Sequence, residues 1–206
     1  MTAEAHIDRE KKILKAAEEL FLERGFALTS TVAIAKKAGC NQALVHYYFR
    51  TKDRLVEAVL RDKFNLFLSA FMKIDEESDS FEERVRRKVE THFDLMAANP
   101  RLPFLIINEL AVNPERIEFV KTMINDLHLK VFGDFSRQLR EEIAAGRVRP
   151  MAPPDMILTV MSLNATLFLA QPIITKVFDL GEAEFRAFAQ HRKDEHVKII
   201  LRSMRP

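Results

Sequence analysis

The chain has 206 residues, of which 48% are apolar, and it carries a net charge of +2. This length suits one large domain or a small domain fused to a larger one, with enough apolar residues for a sizeable core. The five glycines and the lack of alternating β-branched runs favour an all-α protein. The single cysteine excludes a disulfide framework and a cysteine-based metal site. We expect no metal and no cofactor.

Apolar residues at helical spacing predict about nine helices. Gly25 and Gly39 are suited to end the first two, Asn41 to cap the third, and Pro172 to kink or break the eighth. The predicted helices span about residues 7–24, 30–38, 42–49, 51–72, 81–98, 103–111, 114–145, 154–171 and 182–203.

Residues 25–55 carry the most informative pattern. They read as a short helix, a glycine turn and a second short helix, which is typical of a DNA-binding helix-turn-helix. One face of the second helix presents Gln42, Ala43, His46 and Tyr47, opposite its apolar anchors. Glutamine reads adenine through two hydrogen bonds, and alanine lets the backbone approach the bases. The pattern therefore predicts that this helix contacts a major groove.

Hydroxyl and amino groups around this helix suit DNA phosphates. Tyr47 is one of only two tyrosines against sixteen phenylalanines, and its hydroxyl requires a polar partner. Lys52, with nearby backbone N–H groups, is placed to hold a phosphate at the start of the next helix. Thr29 and Ser30 can donate from the start of the second helix. The alternatives stay open at this stage: a half-buried structural tyrosine, a solvent-facing lysine, and plain N-capping by Thr29 or Ser30.

The charge distribution agrees with phosphate binding near the N-terminus. Residues 25–54 contain five basic side chains and one acidic side chain, whereas the rest of the chain is close to neutral. A basic segment of this kind fits phosphate binding and equally fits an ordinary solvated surface.

A known family shares these motifs. The run ILKAAEELFLERGF, followed by TSTVAIAKKAGCNQALVHYYFRTKDRL, resembles the N-terminal domain of TetR-type transcriptional regulators. The resemblance covers residues 9–60 and rests on AA-x-x-LF-x-x-x-GF, TS…IA-x-x-AG and YYF-x-x-K-x-x-L. It implies a homodimeric repressor with a helical ligand-binding domain. It places the phosphate contacts on Thr29, Tyr47 and Lys52, and the base contacts on Gln42, Ala43 and His46.

The sequence departs from the usual family pattern at a few positions of this domain. Valine is usual at Cys40, serine at Asn41, tyrosine at His46 and a charged residue at Val32. These departures leave the fold unaffected and leave the operator sequence open.

Two domains are predicted: a DNA-binding domain of residues 1–52 and a ligand-binding and dimerisation domain of residues 53–206. The eighth helix is apolar nearly all round, so it needs a partner in addition to the core of its own chain. We therefore expect a homodimer formed through about residues 154–204, as a four-helix interface. A fully internal helix in a monomer is the alternative.

A ligand pocket is expected among the helices of the second domain. An apolar cavity with a few polar groups suits a lipophilic or amphipathic small molecule, and such a ligand would act by shifting the protein to a state that does not bind DNA. Most of the candidate residues also suit an ordinary core. They are Phe67, Phe71, His92, Phe93, Met96, Phe104, Ile107, Asn108, Met123, Leu127, Asn164 and Phe168.

Two other functions are compatible with parts of the sequence. An enzyme would use His92 with Asp94, or His191 with His196, but no third ligand, nucleophile motif or phosphate loop accompanies them. The second alternative is a DNA-binding protein whose C-terminal domain binds a protein instead of a small molecule. No apolar run is long enough to span a membrane, so we expect a cytoplasmic protein whose partners are double-stranded DNA and a small-molecule effector.

Overall fold

The computed structural model describes residues 3–77, 80–127 and 133–206, apart from the side chains of residues 3–5, 67–68, 71–73, 75–77 and 124–127. In these residues it contains helices and no strands, which confirms the all-α prediction. The helices are α1 (Ala3–Leu28), α2 (Thr31–Lys37), α3 (Gln42–Phe49), α4 (Lys52–Glu77), α5 (Phe81–Ala98), α6 (Leu102–Val112), α7 (Glu115–Leu127), α8 (Gly133–Ala144), α9 (Pro153–Leu169), α10 (Gln171–Val177) and α11 (Glu182–Ser203).

The described residues contain eleven helices, close to the predicted nine. The predicted helix over 114–145 corresponds to α7 and α8, with residues 128–132 outside the described part of the chain. The predicted break at Pro172 separates α9 from a short α10, because proline fits the first turn of a new helix and not the interior of an old one.

The chain divides into two compact units. Unit 1 comprises residues 1–66 and 105–123, and unit 2 comprises residues 67–104 and 124–206. These units are defined by packing. The predicted boundary after residue 52 instead separates a DNA-binding domain from a ligand-binding domain, and it stays a prediction.

The core of unit 1 joins α1, α2, α3 and the start of α4. Gly25 interrupts α1 with a φ of +80°, a left-handed conformation that costs glycine little. The chain can therefore turn so that Phe26 packs against Phe21, with ring centroids 4.8 Å apart. Ile34 from α2 and Val45 from α3 are buried in the same cluster. Short helices such as α2 and α3 depend on this packing because they are marginal alone.

The segment of α6 and α7 in unit 1 is joined to the first turn of α4 by charged groups. Arg116 at the start of α7 pairs with Glu109 on α6, and its other guanidinium nitrogens reach the carboxylate and the carbonyl of Asp53. Asn113 donates a further hydrogen bond to Glu109 at 2.8 Å. The Glu109 side chain is 5% exposed and that of Asp53 is 77% exposed, so the two arms of this network differ in environment.

Unit 2 is built on α5, α9 and α11, which pack on one another, with α8 against α5 and α9. Asn164 on α9 is fully buried between two histidines. Its amide nitrogen donates to the Val89 carbonyl at 3.0 Å and to His92 Nδ1 at 3.1 Å, and its oxygen accepts from His196 Nδ1 at 2.9 Å. This pattern requires a neutral His92 whose Nδ1 carries no proton, because the amide nitrogen can only donate.

No single helix among the described residues is both long and apolar enough to cross a membrane. The bent pair α9 and α10, at an angle of 55°, reaches that length and composition only when its two helices are counted together.

We predict that the stability of the protein falls as the pH is lowered from about 6.5 to 4. Burial lowers the pKa of His92 to about 4, and burial together with the charge of Arg192 lowers the pKa of His196 to about 4. Between those pH values the unfolded chain binds protons that the folded chain does not, so acid favours unfolding. His92 alone accounts for about 3 kcal/mol over this range.

Urea unfolding at a series of pH values measures this dependence. A His92→Gln variant keeps an acceptor for Asn164 and cannot be protonated, so its free energy of unfolding should change less between pH 6.5 and 4 than that of the unaltered protein. An equal pH dependence in the two proteins would contradict the assignment.

Candidate DNA-binding site

Local capping and a glycine turn set the geometry of the helix-turn-helix. Ser30 caps α2 by accepting a hydrogen bond from the backbone N–H of Ala33 at 3.1 Å. Asn41 caps α3 by accepting from the backbone N–H of Leu44 at 2.9 Å. Gly39 lies between the two helices with a φ of +68°, which a residue with a side chain adopts only with strain. The turn therefore holds α3 at a defined angle to α2.

The predicted base-reading side chains share one exposed face of α3. Gln42, Ala43, His46 and Tyr47 are all exposed, and Tyr47 is 59% exposed. Tyr48 behaves differently, because its hydroxyl donates to the carbonyl of His6 at 3.2 Å and its ring is half-buried. Of the chain's two tyrosines, Tyr47 thus offers its hydroxyl to a partner outside the protein.

A concave region with a volume of about 530 Å³ lies beside this face. It brings residues from the ends of four helices together, and Lys52 at its rim donates to the carbonyl of Ala27 at 3.1 Å. An ammonium group has three donors, so this bond leaves donors for a phosphate. The lining residues are Ala27, Leu28, Thr29, Ser30, Thr31, Gln42, His46, Arg50, Thr51 and Lys52.

The charges around this surface are positive. Lys37 pairs with Glu19 at 2.9 Å, and the hydrogen bond from Lys37 lowers the pKa of that carboxyl. Within the part of the chain that the structure describes, Arg50 and Lys52 form no ion pair, so their charges are not neutralised by the protein. Phosphates that approach this surface therefore meet two cations that no ion pair neutralises among the described residues.

The structure gives Thr29 a place that the sequence does not predict. Its side chain is 1% exposed, and its hydroxyl lies 2.8 Å from the carbonyl oxygen of Gly25 and 3.2 Å from that of Leu20. Its hydroxyl therefore donates inside the protein, where it satisfies carbonyls that the bend in α1 releases. Ser30, the other candidate, is exposed and retains its hydroxyl proton for a donor role.

We predict that Thr29→Val lowers stability without weakening DNA binding by the folded protein. Valine has the same shape but no donor, so the carbonyls of Gly25 and Leu20 lose a buried hydrogen bond at a cost of about 1–2 kcal/mol. Urea unfolding measures the first effect, and operator titration below the unfolding transition measures the second. A large loss of affinity with a smaller salt dependence would instead place the Thr29 hydroxyl on a phosphate. Thr29→Ser is the matched control, because it retains the hydroxyl.

Sequence reasoning did not single out Thr31 or Arg50 as members of the site. Thr31 Oγ1 lies 2.9 Å from the side-chain nitrogen of Gln42, and the Arg50 carbonyl lies 3.0 Å from Nδ1 of His46. Both contacts depend on the angle between α2 and α3 and on the backbone turn after α3. The basic residue at position 50, directly after the predicted helix, was the one signal in the sequence.

The predicted pocket residues fall into separate groups. In unit 2, Phe93 and Phe168 pack edge to face at 5.1 Å beside the bonded His92 and Asn164, and Met96 packs on that cluster. Three of the predicted residues lie on α6 and are exposed: Phe104, Ile107 and Asn108. Met123 packs on the core of unit 1. The side chains of Phe67, Phe71 and Leu127 lie outside those described.

A protein-family comparison identifies the helix-turn-helix. Residues 13–59 match the model of the tetR family of bacterial regulatory proteins. Residues 13–59 of this chain therefore form a DNA-binding domain of the TetR type. The resemblance that the sequence motifs indicate is thereby confirmed, and relatives that share this DNA-binding domain are transcriptional regulators.

Relatives extend the likeness beyond the TetR DNA-binding domain. The fatty acid metabolism regulator protein of Bacillus subtilis is 23% identical over 138 residues, which cover 67% of this chain and 70% of that protein. The transcriptional activator FasR of Mycolicibacterium smegmatis is 26% identical over 81% of this chain and 75% of its own length. The crystal structure of a TetR family regulator from Marinobacter aquaeolei has a TM-score of 0.72 at 16% identity, covering 99% of each chain, and shows the same fold.

Proposed function

We propose that this protein is a TetR-family repressor that binds a palindromic operator as a homodimer and leaves it when a small apolar or amphipathic molecule binds the C-terminal domain. The observation that carries the DNA-binding part is the exposed face of Gln42, His46 and Tyr47 beside the unpaired charges of Arg50 and Lys52. A short helix with polar side chains on one face and cations at its ends matches the requirements of a major groove and its phosphates.

Exposed apolar side chains of unit 2 support the homodimer. Leu158 and Met161 on α9 and Ile199 on α11 are between 40% and 60% exposed, although α9 buries its opposite face in its own chain. Ile173 and Val177 on α10 are about two-thirds exposed. All five lie within the predicted interface of residues 154–204. A second copy of the chain would cover them and would place two recognition helices about 34–36 Å apart along the DNA.

The proposed control by a small molecule rests on the link between α7 and α4. Arg116 at the start of α7 bonds Asp53, which follows Lys52 directly in the first turn of α4. A ligand that moves α7 would therefore also move a phosphate-binding residue. The Bacillus subtilis relative is named for fatty acid metabolism, so fatty acids are the first effector class to test. Such a molecule acts only if it prefers the state that does not bind DNA.

We predict that Lys52→Ala and Tyr47→Ala both weaken operator binding but change its salt dependence differently. An operator is first selected from random DNA at about 150 mM salt, and affinity is then measured against salt. Each lysine on a phosphate releases about one counterion, so Lys52→Ala should reduce the slope by about two per dimer. The tyrosine hydroxyl is neutral, so Tyr47→Ala should lower affinity and leave the slope nearly unchanged.

Arg137→Ala, which removes an exposed cation of unit 2 on α8, outside residues 154–204, is the matched control for net charge and should have no effect on either quantity. If the selection recovers a palindromic sequence that binds two copies of the chain, the proposal that a homodimer binds the operator is supported. If the folded dimer enriches no DNA sequence, that proposal is overturned. Release of the operator by a fatty acid supports the effector class. A domain that binds no small molecule but captures a protein would favour the alternative function.

A further inference from the structure

The side chains that face the major groove are connected to one another in the free protein. Gln42 Nε2 lies 2.9 Å from Thr31 Oγ1 and 3.3 Å from His46 Nε2, and His46 Nδ1 lies 3.0 Å from the carbonyl oxygen of Arg50. Gln42 and His46 are four residues apart on α3 and therefore share one face. These contacts form a series of hydrogen bonds. The series runs from the backbone after α3, through the two predicted base-reading residues, to the first residue of α2.

The donor and the acceptor of each hydrogen bond in this series follow from the bond to the Arg50 carbonyl. A carbonyl oxygen only accepts, so His46 Nδ1 must carry the proton. In a neutral imidazole the other nitrogen, Nε2, is then an acceptor, and it requires a donor opposite it. Gln42 supplies that donor only if its amide nitrogen, and not its oxygen, faces His46. The amide orientation of Gln42 is thus set by its neighbours and is not free.

Backbone geometry holds both ends of this series of hydrogen bonds, Arg50 and Thr31, in place. Arg50 has a φ of +63° and a ψ of −56°, and the Thr51 N–H donates to the Phe49 carbonyl at 2.6 Å, which closes a three-residue turn around Arg50. This turn type is rare and strained for a residue with a side chain, and strain of this kind concentrates at functional sites. At the other end, Thr31 is the first residue of α2 and follows the Ser30 cap.

We propose that Thr31, His46 and the Arg50 carbonyl fix Gln42 as a hydrogen-bond acceptor, so that it selects a base with an exocyclic amine, adenine or cytosine, at its position in the operator. With both amide protons engaged, the exposed group of Gln42 is Oε1. In the major groove adenine presents N6–H₂ and cytosine N4–H₂, whereas guanine and thymine present acceptors at the corresponding positions. Gln42 is the base-contacting residue, and Thr31, His46 and Arg50 are positioning residues. This inference rests on the proposed function.

The proposal changes the expected base preference in a specific way. A free glutamine makes two bonds to adenine, one to N6 and one to N7, and thereby selects adenine alone. A glutamine whose amide nitrogen is occupied makes one bond and accepts cytosine as well. Releasing the amide should therefore narrow the preference from adenine or cytosine to adenine.

Binding-site selection at pH 8 tests the proposal in five proteins. Gln42→Ala identifies the operator position that Gln42 reads, because the preference is lost there. The unaltered protein should accept adenine and cytosine equally at that position, and the Thr31→Val/His46→Ala double variant should prefer adenine about fivefold, the discrimination expected from one added hydrogen bond. Thr31→Ser keeps the hydroxyl and should behave as the unaltered protein. Gln42→Glu accepts only, so it should keep the choice of adenine or cytosine at lower affinity.

Selection of guanine, thymine or adenine alone by the unaltered protein would overturn the proposal, as would an unchanged preference in the double variant. Nitrogen NMR of the free protein gives a readout that does not involve DNA, with His46→Ala identifying the signal. Protonation of His46 at Nδ1 supports the proposed series of hydrogen bonds, and protonation at Nε2 excludes it. If no DNA sequence is enriched while His46 shows the Nδ1 form, the failure lies with the proposed function, and the base preference falls with it.

Discussion

Replacement of Asn164 by leucine is expected to lower the free energy of unfolding by about 3–5 kcal/mol, because it leaves several buried polar groups without partners. Asn164 has no exposed surface, and its amide bonds the Val89 carbonyl, His92 and His196. Leucine has a similar volume, so little of the loss comes from packing. The change instead removes a side chain that joins α5, α9 and α11 by hydrogen bonds.

Urea unfolding at a fixed protein concentration measures this loss, since the stability of a dimer depends on concentration. Asn108→Leu makes the same chemical change at an exposed position of α6 and should alter stability by less than about 0.5 kcal/mol. A loss for Asn164→Leu no greater than that for Asn108→Leu would show that the histidines find other partners.

Asn164 also shows how much of a ligand pocket can be predicted from the sequence. A polar residue among apolar ones marks Asn164 and His92 as unusual, and both are buried. Their partners lie 32 to 75 residues away in the chain, so no local pattern indicates that they bond one another and not a ligand. Whether a ligand also contacts them stays part of the proposal.

The DNA-binding face was more predictable because local features determine it. The caps Ser30 and Asn41 and the turn at Gly39 lie within a dozen residues of one another, and they set which face of α3 is exposed. Thr29 shows the limit of such reasoning. A threonine before a helix has the same sequence signature whether its hydroxyl caps the helix, contacts DNA or, as here, satisfies carbonyls of the preceding bend.

The largest electrostatic effect is expected at Arg116. Arg116→Met leaves the carboxylate of Glu109, which is 5% exposed, without its cation, and breaking a buried pair from one side costs about 3–5 kcal/mol. Adding Glu109→Gln removes the buried charge, so the double variant should recover most of that loss. Asp53→Asn breaks only the exposed arm of the same network and should cost no more than about 1 kcal/mol.

Denaturant unfolding of the two single variants and the double variant separates the two arms of the network. Recovery in the double variant would show that the cost in Arg116→Met is the unpaired charge of Glu109 and not lost packing of the arginine. A double variant no more stable than Arg116→Met would contradict this account. If Arg116→Met were as mild as Asp53→Asn, the start of α7 would not be held to α4 by these charges. The proposed route from an effector to Lys52 would then lose its structural basis, while the DNA-binding face would be unaffected.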